Sequence, residues 1–104
     1  MDLILLADRL GLNVDEFADL VKLFVQTARV EIRTLDGAVR DRHGDIAAAA
    51  AHSLKGSSGN LGFEGFSRIA RQAESNATQE DFEALDRCRK DLLQELDKVN
   101  ALLS

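Results

Sequence analysis

A chain of 104 residues can fill one hydrophobic core but not two, so a single domain over residues 1–104 is expected. A formal net charge of −5 leaves no basic stripe to displace counterions, which argues against nucleic acid as the main partner. Hydrophobic residues at 45% and charged residues at 30% mark a folded globular protein, and the absence of proline and tryptophan beside plentiful alanine and leucine favours helices.

No apolar run reaches the roughly 18–20 residues needed to cross a bilayer, so no membrane association is expected. The single cysteine, Cys88, cannot close an internal disulfide, which suits a reducing compartment. The opening residues Met1 to Asp8 carry acid where a signal peptide carries base. A cytoplasmic location is the expectation.

The first segment, Asp2 to Leu10, reads as a short apolar helix with Asp2 as its cap and Gly11 as its stop. Asn13 then caps a long helix with acids in its first turn. Phe17, Leu20, Val21, Phe24, Ala28, Ile32, Leu35 and Val39 recur at steps of three and four, carrying this helix to about Arg42. After the break at Arg42 to Asp45, Asp45 is placed to cap a third helix from Ile46, which contains five consecutive alanines. Gly62 closes it.

Phe63, Phe66, Ile69, Ala70 and Ala73 mark the apolar face of a fourth helix, and Ser75 to Thr78 reads as a polar turn. Thr78, three residues before Asp81, resembles a capping arrangement. The last helix runs from about Gln79 to Leu102, with Phe82, Leu85, Cys88, Leu92, Leu96, Val99 and Leu103 as its buried stripe. The expected architecture is therefore all-α: an up-down antiparallel four-helix bundle with a short additional N-terminal helix.

The third helix is unusual. At about 100° per residue from Ile46, Ala50, Leu54, Ser57 and Leu61 fall between roughly 20° and 80° and define a core side. His52 falls at roughly 240° and Gly59 at roughly 220°, with Lys55 at roughly 180° and Gly56 at roughly 280°. The histidine thus stands on the solvent face beside a cation and bare backbone. A helical histidine is more often a packing residue than a reactive one, but this phase takes His52 out of the core. Interior glycines each cost about 1 kcal/mol against alanine, and close approach of another molecule is the reason left for them on that face.

Glu74 supplies a second geometric argument. His52 and Glu74 stand at equal separations on either side of Phe63, so an antiparallel hairpin turning there brings them to one level. A carboxylate accepting Nδ1–H would fix the tautomer and leave Nε2 as the nucleophile. The alternative is an ordinary solvated carboxylate at the helix boundary.

The stretch Ala51-His52-Ser53-Leu54-Lys55-Gly56-Ser57-Ser58-Gly59-Asn60-Leu61-Gly62 resembles the signature of histidine-containing phosphotransfer (HPt) domains. That pattern is a histidine, any residue, an apolar residue, lysine, glycine, two small residues and then a leucine-glycine pair. The likeness continues through Arg68 to Glu74, with Ala73 where the family tends to a larger apolar residue.

The resemblance implies a phosphocarrier that relays a phosphoryl group between receiver-domain aspartates and its own histidine. By it, His52 is the acceptor, Lys55 offsets the phosphoryl charge and Glu74 holds the other ring nitrogen. Gly56, Gly59, Ser53 and Arg71 belong to the surface on which the receiver docks. Ser57, core-facing by phase, would bond a backbone carbonyl. Implied partners are response-regulator receiver domains and a hybrid sensor kinase. No cofactor is expected, since Mg²⁺ belongs to the receiver. The chain is read as a monomer.

The alternative is a helical-bundle adaptor that binds and inhibits a kinase or receiver without carrying phosphate. No nucleotide-binding loop of Walker type is present, because the glycines at positions 56, 59, 62 and 65 follow a helix rather than a strand. The chain is therefore read as no enzyme in its own right.

His43 reads as a solvated loop residue, too far along the chain from His52 to share a metal, so no metal site is expected. Cys88 falls on the buried face of its helix. Arg68 and Arg71 lie on the outer side of theirs, where they could join Lys55 in a basic rim or be ordinary solvated arginines.

Overall fold

The computed structural model describes all residues, Met1–Ser104, as five helices without a strand. They are α1 (Leu3–Arg9), α2 (Val14–Asp41), α3 (Gly44–Asn60), α4 (Glu64–Thr78) and α5 (Phe82–Ala101). The four long helices form a ring in which α3 packs on α2 and α4, and α5 packs on α4 and α2. The connections between them are so short that ring neighbours run antiparallel. The molecule measures 42 × 20 × 17 Å, and its long axis is the length that a helix of 28 residues such as α2 has at 1.5 Å per residue.

Local chemistry sets each boundary. Asp2 accepts from the Ile4 and Leu5 amides, and Asn13 forms a full capping box with Glu16. Gly62, at φ +82°, ends α3, with its N–H on the Gly59 carbonyl and the Phe63 N–H on the Ser58 carbonyl. The same arrangement closes α2 through Arg42 (φ 58°) and α4 through Glu80 (φ 57°), left-handed positions that glycine would fill without steric cost. Arg42 sets its guanidinium 4.7 Å from the centroid of the Phe82 ring, a cation–π contact that Glu80 has no counterpart for.

The core is one cluster. Phe17, Phe24, Phe63 and Phe66 meet at the end where α1 lies, with Phe24 edge-on to Phe66 at 5.2 Å. Full burial of such a side chain stabilises by about 1.5–3 kcal/mol. Leu6 of α1 reaches the turn between α3 and α4, where its Cδ2 lies 3.7 Å from the place a Cβ on Gly62 would take. The alanines of α3 let the helix lie close to its neighbours, with Ala47 and Ala51 fully buried. Gly44 extends this closeness, because a Cβ there would sit 2.8 Å from the Ala77 carbonyl oxygen.

Several local expectations change. The third helix begins at Gly44 with no side-chain cap, so Asp45 is a first-turn acid rather than its cap. Ser75 to Thr78 is not a turn but the last turn of α4: Asn76 is buried and donates to Cys88 Sγ at 3.4 Å. A buried polar partner across the interface outweighs the turn tendency of that polar run. Thr78 therefore caps nothing, and Asp81 caps α5 by accepting from the Ala84 amide. On α2, Leu20 is exposed, while Val25 and Ala38 join the buried stripe.

Candidate functional site

The core side of α3 is rotated from the expected one. Ala47, Ala50, Ala51, Leu54 and Ser58 are buried, whereas Ile46 is 45% exposed and Ser57 only half-buried. Ser58 takes the role expected of Ser57 more fully, donating to the Leu54 carbonyl at 2.6 Å, while Ser57 makes a longer bond to the same oxygen at 3.3 Å. The rotation turns Gly56 directly outward, leaves His52 exposed but leaning toward α4, and brings Lys55 to the edge of α4.

His52 is exposed, its side chain 68% accessible, and its Nδ1 lies 2.8 Å from Glu74 Oε2 on α4. The level match expected about Phe63 is therefore realised as a hydrogen bond. Lys55, expected to be exposed, is half-buried and places its Nζ 2.8 Å from the other oxygen of the same carboxylate. One carboxylate joins both side chains, a link that the sequence reading did not include.

The Lys55 ammonium, followed by the His52 imidazole, holds the Glu74 carboxyl below its ordinary pKa against the opposing effect of desolvation. An ionised carboxylate can only accept, so the facing Nδ1 must carry its proton. In the neutral ring the lone pair then resides on Nε2, at the end directed away from Glu74.

The remaining candidates lie around this group. Ser53, Gly56, Gly59, Arg68 and Arg71 are all exposed. A Cβ on Gly56 would meet nothing within 4 Å, so no packing within the molecule requires a glycine there. A Cβ on Gly59 would lie 3.5 Å from Ser67 Oγ, which gives that glycine an ordinary neighbour on α4. Ser67 was not singled out from sequence, although it mirrors Gly59 about Phe63 as Glu74 mirrors His52. Its hydroxyl donates to the Lys55 carbonyl at 3.1 Å and fastens α4 to α3 one turn from the imidazole.

His43 is exposed at the N-cap of α3, and no group of His, Cys, Asp and Glu residues is arranged to hold a metal ion. Cys88 is buried, and desolvation pushes its thiol pKa up, which makes it a core residue. No helix is long and apolar enough to cross a membrane.

Fold and site together define a helical bundle that presents one oriented imidazole, with a lysine beside it, on an otherwise quiet helix face. The family model described as Hpt domain matches residues 19–101, and the chain belongs to that family, whose members carry out histidine phosphotransfer in phosphorelays with receiver domains of two-component systems. The comparisons with curated proteins and with solved structures gave no match.

Proposed function

We propose that this chain is a phosphocarrier in which His52 accepts a phosphoryl group from a receiver-domain aspartate and passes it to another. The observation that carries this reading is the hydrogen bond from His52 Nδ1 to Glu74, which leaves Nε2 unprotonated and outward. In the transfer, the Nε2 lone pair forms a bond to phosphorus as the bond from phosphorus to the aspartyl oxygen breaks. The aspartate leaves as carboxylate, and the proton stays on Nδ1, hydrogen-bonded to the Glu74 carboxylate. The ring becomes cationic as phosphorus bonds, and the adjacent carboxylate stabilises that charge.

Lys55 is the group that meets the phosphoryl oxygens. It rests on Glu74 beforehand and needs only to swing its flexible stem outward. Gly56, Gly59 and Ser53 keep the approach low, and Arg71 faces the acidic rim of the partner. The partners in this reading are response-regulator receivers and a hybrid sensor kinase, with Mg²⁺ supplied by the receiver. The chain contributes no ATP site and acts as carrier rather than kinase.

The test is incubation with a phosphorylated receiver. Acid-labile, alkali-stable phosphate should appear on the native chain and be absent from His52→Gln. Phosphate on the variant would refute the choice of nucleophile. Binding and unchanged relay output without any phosphate transfer would favour an inhibitory adaptor instead.

A further inference from the structure

The outer face of α2 carries a second apolar stripe unrelated to the core. Leu20, Leu23, Thr27, Val30, Thr34 and Gly37 follow one another at alternating steps of three and four, the 3.5-residue repeat of a coiled-coil seam. None is buried, and Leu20, Leu23 and Val30 are 40%, 60% and 54% exposed. Asp36, on the opposite flank of α2, reaches Arg89 of α5, so the stripe is turned away from α5.

We infer that this stripe pairs with the same stripe of a second copy, the two α2 helices running antiparallel about a twofold axis between Thr27 and Val30. The size gradient along the stripe sets the direction. Antiparallel pairing places Leu20 against Gly37 of the second copy, Leu23 against Thr34 and Thr27 against Val30, so every layer joins a larger side chain to a smaller one. Parallel pairing would stack leucine on leucine and leave glycine on glycine. Gly37 gains a reason by this means. It sits inside a helix at a cost of about 1 kcal/mol, and a Cβ there would meet nothing within 4 Å in its own chain.

The charges agree. In an antiparallel pair the residues preceding the seam face their counterparts, which brings Asp19 to Arg40 and Gln26 to Arg33 of the second copy, twice over by symmetry. Asp19 has no ion-pair partner in its own chain, and Arg40 holds only a 3.5 Å surface pair with Asp36. Glu16 and Asp41 continue the seam with acid at both ends, so the pairing stops there. One helix pair of this length covers about 1,000 Å² in total, at the low end for specific interfaces, which makes the dimer weak and concentration-dependent. His52 and Lys55 turn toward α4 on a different face, so both imidazoles stay open in the pair.

Sedimentation equilibrium of the full chain, taken up to about 1 mM, tests this. The apparent mass should climb toward twice that of one chain, and Val30→Glu should keep it at one chain with an unchanged helical circular dichroism spectrum. In a Cys88→Ser background, oxidation of the Leu20→Cys, Gly37→Cys double variant should give a reducible covalent dimer that neither single variant gives. A chain monomeric throughout, a dimer indifferent to Val30→Glu, or a covalent dimer from Leu20→Cys alone would each overturn the proposal. If the chain is monomeric and Val30→Glu slows transfer from a receiver, the stripe belongs to that partner instead.

Discussion

His52 and Glu74 stand 22 residues apart in the chain, on facing helices, with imidazole Nδ1 and carboxylate Oε2 separated by 2.8 Å. The hydrogen bond fixes the ring more than it stabilises the fold, since the histidine is largely exposed and the pair is open to solvent screening. Replacing Glu74 should therefore act on phosphotransfer before it acts on stability. Glu74→Gln keeps an oxygen to accept Nδ1–H, whereas Glu74→Ala removes it. The alanine variant should accept phosphate about tenfold more slowly, and the glutamine variant should lose less. Nitrogen NMR of the imidazole should show the Nε2-protonated tautomer rising in Glu74→Ala. An unchanged tautomer ratio would mean that Glu74 does not orient the ring.

Lys55→Ala separates the two jobs of that lysine. Transfer should slow about tenfold or more through loss of phosphoryl charge stabilisation. The Glu74 carboxyl should titrate at higher pH once its strongest partner is gone, which a carboxylate NMR titration reads directly. A slower transfer with no change at Glu74 would place Lys55 on the phosphoryl group without the resting pair.

Two glycines of one helix should respond in opposite ways. Gly56→Ala meets open space, so it should raise stability by up to about 1 kcal/mol while slowing transfer from a bulky receiver. Gly44→Ala drives a Cβ to 2.8 Å from the Ala77 carbonyl, and should cost about 1–3 kcal/mol with the transfer chemistry intact. Denaturant titration together with transfer kinetics distinguishes them.

Glu80→Gly should stabilise the protein by about 1 kcal/mol, because the left-handed backbone there suits glycine and no contact comparable to that of Arg42 on Phe82 is lost. Thermal unfolding midpoints of the two glycine variants, at positions 42 and 80, should differ in that order. Equal midpoints would remove the weight given to the cation–π contact.

Acid should weaken the fold through two carboxyls. Lys55, with His52 adding to it, lowers the pKa of Glu74, and Arg89 does the same for Asp86. A carboxyl depressed in the folded state binds more protons when unfolded. The stability it lends is complete above the ordinary carboxylate range, near pH 4, and is lost as pH falls through the folded values. Stability measured from pH 6 downward should fall less steeply in Asp86→Asn than in the native chain.

Much of this was legible in the sequence because helical period translates directly into faces. The stripe of α5 from Phe82 to Val99 is buried throughout, and the equal spacing about Phe63 placed Glu74 beside His52. Misreadings arose where tertiary contacts overrule local tendency. Asn76 and Thr78 look like a turn, but Cys88 across the helix interface gives Asn76 a buried partner and keeps α4 winding. Ile46 was a poor origin for the phase of α3, because the alanines, which carry little hydrophobic signal individually, are what its neighbours pack against. The Lys55–Glu74 pair followed from that rotation and from no motif.

The turn at Leu61, Gly62 and Phe63 acts as a gauge for the whole face. Its two hydrogen bonds and the buried Phe63 ring fix how far α3 and α4 slide past one another, and Leu6 closes over it. One added residue there, carried into either helix, would shift it by about 1.5 Å and turn it by about 100°, separating His52 from Glu74. The joints at Arg42 and Glu80 set no such registration. Length variation among natural or engineered versions of this bundle should therefore accumulate at those two joints and spare the hairpin.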